Sequence, residues 1–138
     1  MSRTGRMAGA VAIGGALGAL ARAGIELAVG VGGDAFAWPV LLVNVLGSFA
    51  LGALSVLALA RRAPQWVGPA LGTGFLGGFT TFSAYVVGAE VMLGSGAALL
   101  ALGYALLTPV LCVAAAALGT QTVRLVHGSP GPGRPAQR

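Results

Sequence analysis

Four apolar runs, each long enough to cross a bilayer, leave this chain of 138 residues almost no room for anything else. They run from about Met7 to Gly30, Trp38 to Ala60, Trp66 to Leu93 and Ala97 to Val123. A hydrocarbon core of about 30 Å takes about 20 helical residues to cross. Backbone inside lipid must also satisfy its own hydrogen bonds, so each run is read as a helix. The fold class that follows is all-α integral membrane, four transmembrane helices in one domain over residues 1–124. Asp34 and Pro39, "RRAPQ" (Arg61 to Gln65) and "GSG" (Gly94 to Gly96) punctuate the gaps. Residues 125–138, which hold "HGSPGPGRPAQR", read as a disordered C-terminal tail because of their Pro and Gly content. Hydrophobic residues make up 57% and charged ones 8% of the chain, so function must lie within the helices.

Arg3 and Arg6, the apolar run after them and the triplet Ala19-Leu20-Ala21 mimic a secretory signal. Apolar character resumes after Arg22, and the segment is therefore read as the first span.

Charge placement gives an orientation. With four spans both termini lie on one side of the membrane, together with Arg3, Arg6, Arg61, Arg62, Arg124, Arg134 and Arg138. Arg22, Glu26, Asp34 and Glu90 fall on the other. The positive-inside rule then puts both termini in the cytoplasm, in a multi-pass protein of the cell inner (plasma) membrane. The net charge of +5 is topological: the arginines flank apolar runs and form no face, which excludes nucleic-acid binding. Enzyme chemistry finds no support. His127 is the only histidine and lies in the tail, Cys112 is the only cysteine, and no carboxylates are paired. The glycines of "GALGAL" open no strand–turn–helix unit, so phosphate binding is excluded as well.

The polar residues inside the spans carry the functional information. Arg22 and Glu26, four apart on the first helix, share a face and can pair; the alternative is a vestibule that attracts anions. Asn44, in "LLVNVLGSF", offers two amide donors without a charge, which suits brief contact with an anion and equally suits a bond between helices. Tyr104, Thr108 and Cys112 form one stripe on the fourth helix, either successive donors or packing with Thr bonded back to its own helix. Pro109 lies beside that stripe. In the third span Gly77, Gly78, Thr80 and Thr81 weaken helix, so the span is read as a helix broken mid-membrane or as a close packing surface. Carbonyls freed by such a break suit a hard cation, and the positive ring edges of Phe82 and Tyr85 suit an anion.

"GGALGALAR" (Gly14 to Arg22), "NVLGSFALG" (Asn44 to Gly52) and "TGFLGGFTTFSAY" (Thr73 to Tyr85), in this order, closely resemble the Fluc (CrcB) fluoride channels. The resemblance covers nearly the whole chain apart from the tail. It implies a passive, fluoride-selective channel that exports cytoplasmic fluoride and lowers its toxicity. It also implies an antiparallel dual-pore dimer in the lipid bilayer, with a structural Na+ that is not transported at the dimer centre. Carried over by residue, the Na+ ligands are the backbone carbonyls of Gly77 and Thr80, and the fluoride pathway is Asn44, Phe82, Tyr85, Tyr104, Thr108 and Cys112. Beside these, Arg22 is read from its own placement as part of a vestibule.

This chain departs from the family pattern at Tyr85, usually Phe, at Cys112, usually a hydroxyl residue, at Ala84 and at Val40. Its one-sided charge predicts a partnership with an oppositely oriented homologue, the alternative being a homodimer. Two other functions fit four short spans. A small multidrug/proton exporter calls for a central carboxylate, whereas Glu26 and Glu90 lie toward span ends; a packing protein predicts no ion leak.

Overall fold

The structure, a computed structural model, describes residues 2–29, 36–60 and 64–127. Helices α1 (Arg3–Val29), α2 (Trp38–Ala60) and α5 (Ala98–His127) are continuous. Between α2 and α5 lie a π-helical segment (Pro69–Leu76), a single α-turn α3 (Gly77–Phe79) and helix α4 (Phe82–Gly94). Four helical stretches are long and apolar enough to cross a membrane, as the sequence predicts.

The last helix runs further than expected. Residues 125–127 are helix rather than tail, because Leu125 and Val126 prolong the apolar pattern and the first helix-breaking residue beyond them is Gly128. The rest of the predicted tail, along with Asp34, Arg61 and Arg62, lies outside the described residues. Pro39 does not punctuate a gap either. It occupies the first turn of α2, where a helix has no partner for an N–H in any case. The "GSG" break does form a turn, with Gly96 at φ 83°, a conformation that side chains disfavour.

Packing pairs the spans in an interleaved order: α1 lies on the π-helical segment and α3, while α2 lies on α5 and α4 also meets α5. Lipid offers no hydrophobic drive for this, so close backbone approach must supply the contact. At the first interface Gly18 abuts the carbonyl of Phe75 and Gly78 abuts that of Gly15; a Cβ at either would overlap backbone. Thr120 stitches the second interface, its hydroxyl reaching the Gly52 carbonyl at 3.2 Å as well as its own helix at Ala116, 2.9 Å. Because neither partner at the Gly18 contact is a movable side chain, Gly18→Val is expected to destabilise the fold by ~3 kcal/mol or more. Thermal unfolding in detergent measures it, and Gly24→Val, at a position with open space, is the control.

Candidate functional site

Helical geometry in the third span stops at Phe79, the Thr80 N–H making the last bond back to Leu76 at 2.9 Å, and resumes at Phe82. Thr80 (φ −80°, ψ 155°) and Thr81 (φ −147°, ψ 123°) between them are extended. Two bridges from outside the segment hold this stretch. The buried amide of Asn44 grips the Thr81 peptide from both sides: its Oδ1 accepts the Thr81 N–H at 2.8 Å and its Nδ2 donates to the Thr81 carbonyl at 2.9 Å. Arg22, from α1, donates through Nε to the Gly78 carbonyl at 3.4 Å and pairs through Nη1 with Glu26 at 3.2 Å. The helix restarts on a local cap, the Thr81 hydroxyl accepting the Ala84 N–H at 3.2 Å.

These bonds decide which carbonyls stay open. In a continuous α-helix the Gly77 carbonyl would accept from the N–H of residue 81 and the Thr80 carbonyl from that of residue 84. The Thr81 N–H goes to Asn44, and the Ala84 N–H goes to the Thr81 hydroxyl. Gly78 and Thr81, by contrast, have their carbonyls covered by Arg22 and Asn44. Gly77, Phe79 and Thr80 thus keep carbonyls without their usual helical donors, and Gly77 and Thr80, the pair the resemblance implies, are oxygen donors of a kind that suits a hard, weakly held cation such as Na+. Gly77 is exposed on the surface of the chain. Two carbonyls are fewer oxygens than such an ion takes, so the rest would have to come from beyond this pair. Among the described residues no group of His, Cys, Asp or Glu could hold a metal.

Beside this stretch runs a groove of about 370 Å3, lined by residues of α2, the interrupted span and α5. Asn44, Thr80, Phe82, Tyr85, Thr108 and Cys112 all border it, and among the described residues no charged one does. Phe82 is 78% exposed and its ring lies 5.6 Å from that of Tyr85. The Tyr85 hydroxyl does not point free into the groove: it donates to the Ala105 carbonyl of α5 at 2.6 Å.

Tyr104, at the far end of the predicted stripe, does not border this groove. It is buried to 1% exposure between Phe36 and Tyr85, with ring centroids 5.2 and 5.4 Å away, and lines a neighbouring apolar cavity. Thr80, Thr120 and Thr122 all bond back to the carbonyl four residues earlier. Thr108, 4% exposed, does not; its hydroxyl and that of Tyr104 are buried without a partner. Buried polar groups are otherwise almost always paired, so these two await one. Sequence reading named Thr81 only as a helix-weakening residue and missed Ala105, whose offset from Pro109 could have flagged it.

The CrcB family model, described as "CrcB-like protein, Camphor Resistance (CrcB)", matches residues 9–120. The chain belongs to the CrcB family. Its CrcB-matched stretch contains every residue of the groove. Among curated CrcB relatives it is similar to "Fluoride-specific ion channel FluC" of Bordetella petrii, 49% identical over 113 residues, 80% of this chain and 85% of that one. The Paracoccus denitrificans protein of the same name is 44% identical over 79% of this chain and 87% of its own. "Fluoride-specific ion channel FluC 2" of Thermobifida fusca is 45% identical over 83% and 87%. Four apolar helices within a family whose relatives are named ion channels make this CrcB chain a multi-pass membrane protein.

Proposed function

We propose that the chain is a passive, fluoride-selective channel subunit that lets cytoplasmic fluoride leave the cell and so lowers its toxicity. The observation that carries this reading is the groove without charged lining residues, where donors from α2 and α5 converge beside the rings of Phe82 and Tyr85. Its chemistry suits a small anion stripped of water. The Asn44 amide keeps one Nδ2 hydrogen beyond the one given to Thr81, the unpartnered Thr108 hydroxyl can donate, and the Cys112 thiol adds a weaker donor. Tyr104 can reach the ion only by a shift of its buried ring, or serve it through its hydroxyl from the flank. The ring edges of Phe82 and Tyr85 supply positive potential without a full charge, so an ion is attracted and still released. The Arg22 guanidinium, partly buried beside Glu26, forms the vestibule that gathers anions.

The exposed Gly77 and Phe82 call for a second subunit, and we infer an antiparallel dimer with two pores and the interruption of the third helix at mid-membrane. Gly77 and Thr80 of each subunit would hold a structural Na+, which supplies fixed positive charge tying the two interruptions together. The bias of arginines favours an oppositely oriented homologue as partner and cytoplasmic termini.

Reconstituted in liposomes with that partner, the protein is expected to release fluoride and retain chloride. Absence of fluoride efflux with a folded dimer sinks the reading. A C-terminal topology reporter should read cytoplasmic in nearly every molecule; a substantial outside fraction would point to a homodimer instead. Replacing Na+ by N-methylglucamine is expected to loosen the dimer, measured by cross-linking in detergent. An unchanged dimer under that exchange argues against the proposed cation site.

A further inference from the structure

Pro109 stands inside α5, where it cannot donate the N–H that would close a helical bond to the carbonyl of Ala105. A buried carbonyl left this way must find another donor. It finds the hydroxyl of Tyr85, which crosses from α4 and donates at 2.6 Å, a short contact for O–H···O. Both Tyr85 and Pro109 border the groove, so an uncovered Ala105 carbonyl would place negative potential beside it.

We propose that Tyr85 is a positioning residue whose hydroxyl replaces the N–H that Pro109 lacks. The bond latches α4 to α5 and holds the ring in one orientation against Tyr104 and Phe82. It also covers a carbonyl that would repel a passing anion. Toward the ion, Tyr85 then offers its ring and not its hydroxyl, so it does the work of a phenylalanine. Tyrosine at this position is the counterpart of proline at 109: loss of the Tyr85 hydroxyl matters only while position 109 lacks an N–H. The flux consequence rests on the channel reading above, whereas the latch itself does not.

The test compares Tyr85→Phe in the natural chain with Tyr85→Phe in a Pro109→Ala background. In the natural chain the substitution is expected to lower the unfolding temperature in detergent by roughly 4 °C, since an unpaired carbonyl remains. In the Pro109→Ala background the same substitution should shift it by less than about 1 °C, because position 109 then has an N–H to donate. Fluoride efflux from liposomes is expected to fall roughly tenfold in Tyr85→Phe and to recover in the double variant. Should Tyr85→Phe fail to fold, recovery of folded protein in the double variant carries the same meaning. Equal losses in both backgrounds, or none in either, overturn the latch. A natural chain that unfolds as expected but passes no fluoride overturns the channel reading and leaves the latch standing.

Discussion

Phe82→Ile is expected to leave the protein folded and to cut its fluoride efflux roughly a hundredfold, the change that a barrier higher by ~2.7 kcal/mol produces. The ring is largely outside the fold, 78% exposed, and its removal from the single chain leaves no cavity. What disappears is the positive ring edge beside the groove, for which an aliphatic side chain of comparable bulk has no substitute. Efflux from reconstituted vesicles and the unfolding temperature in detergent separate the two effects. Unchanged flux in a folded variant would remove Phe82 from the pathway, and a collapse of stability would mean that the ring serves the fold instead. Phe82→Tyr keeps the ring and is expected to retain most of the flux.

The second large effect lies at Asn44. Asn44→Asp preserves shape and still accepts the Thr81 N–H, but it sets a carboxyl oxygen against the Thr81 carbonyl in place of a donor. At a residue only 8% exposed, the ionised carboxylate leaves two buried acceptors facing each other, and relieving that requires it to take up a proton. The expected cost is ~3 kcal/mol, a fall of roughly 10 °C in the unfolding temperature. Asn44→Leu removes both bonds and frees the Thr81 N–H to return to the Gly77 carbonyl, which would let the helix close over the interruption. Both variants are expected to lose efflux, and Asn44→Leu should also lose the Na+ dependence of the dimer. Full flux in Asn44→Asp would show that the grip on Thr81 is dispensable.

Sequence was most informative where a single physical rule operates over many residues. Four runs of apolar residues in lipid leave only helices, and the helices are there. The motifs around Arg22, Asn44 and Phe82 were enough to indicate the CrcB family, which the family match bears out. What sequence could not supply were bonds between side chains and backbone far away along the chain. Asn44 is equally good as an ion contact or a structural bridge until the Thr81 peptide is seen between its two amide atoms. Tyr85 looked like a departure that added a hydroxyl to an ion path, but the hydroxyl is already committed to Ala105. Even spacing on one helix did not ensure a shared environment, since Thr108 and Cys112 border the groove while Tyr104 turns into the next cavity.

The interleaved packing of the spans has a consequence for how the protein is made. α1 leaves the ribosome first, yet its close partner is the third span, and α2 must wait for the last helix. The first hairpin holds little interface of its own, and the second holds only the contact of α4 with α5. A nascent chain halted before the fourth helix therefore holds α2 without the surface it packs on, and the groove lacks its far wall. No partial product of translation thus holds the finished groove, whose lining comes from α2, the third span and α5 together.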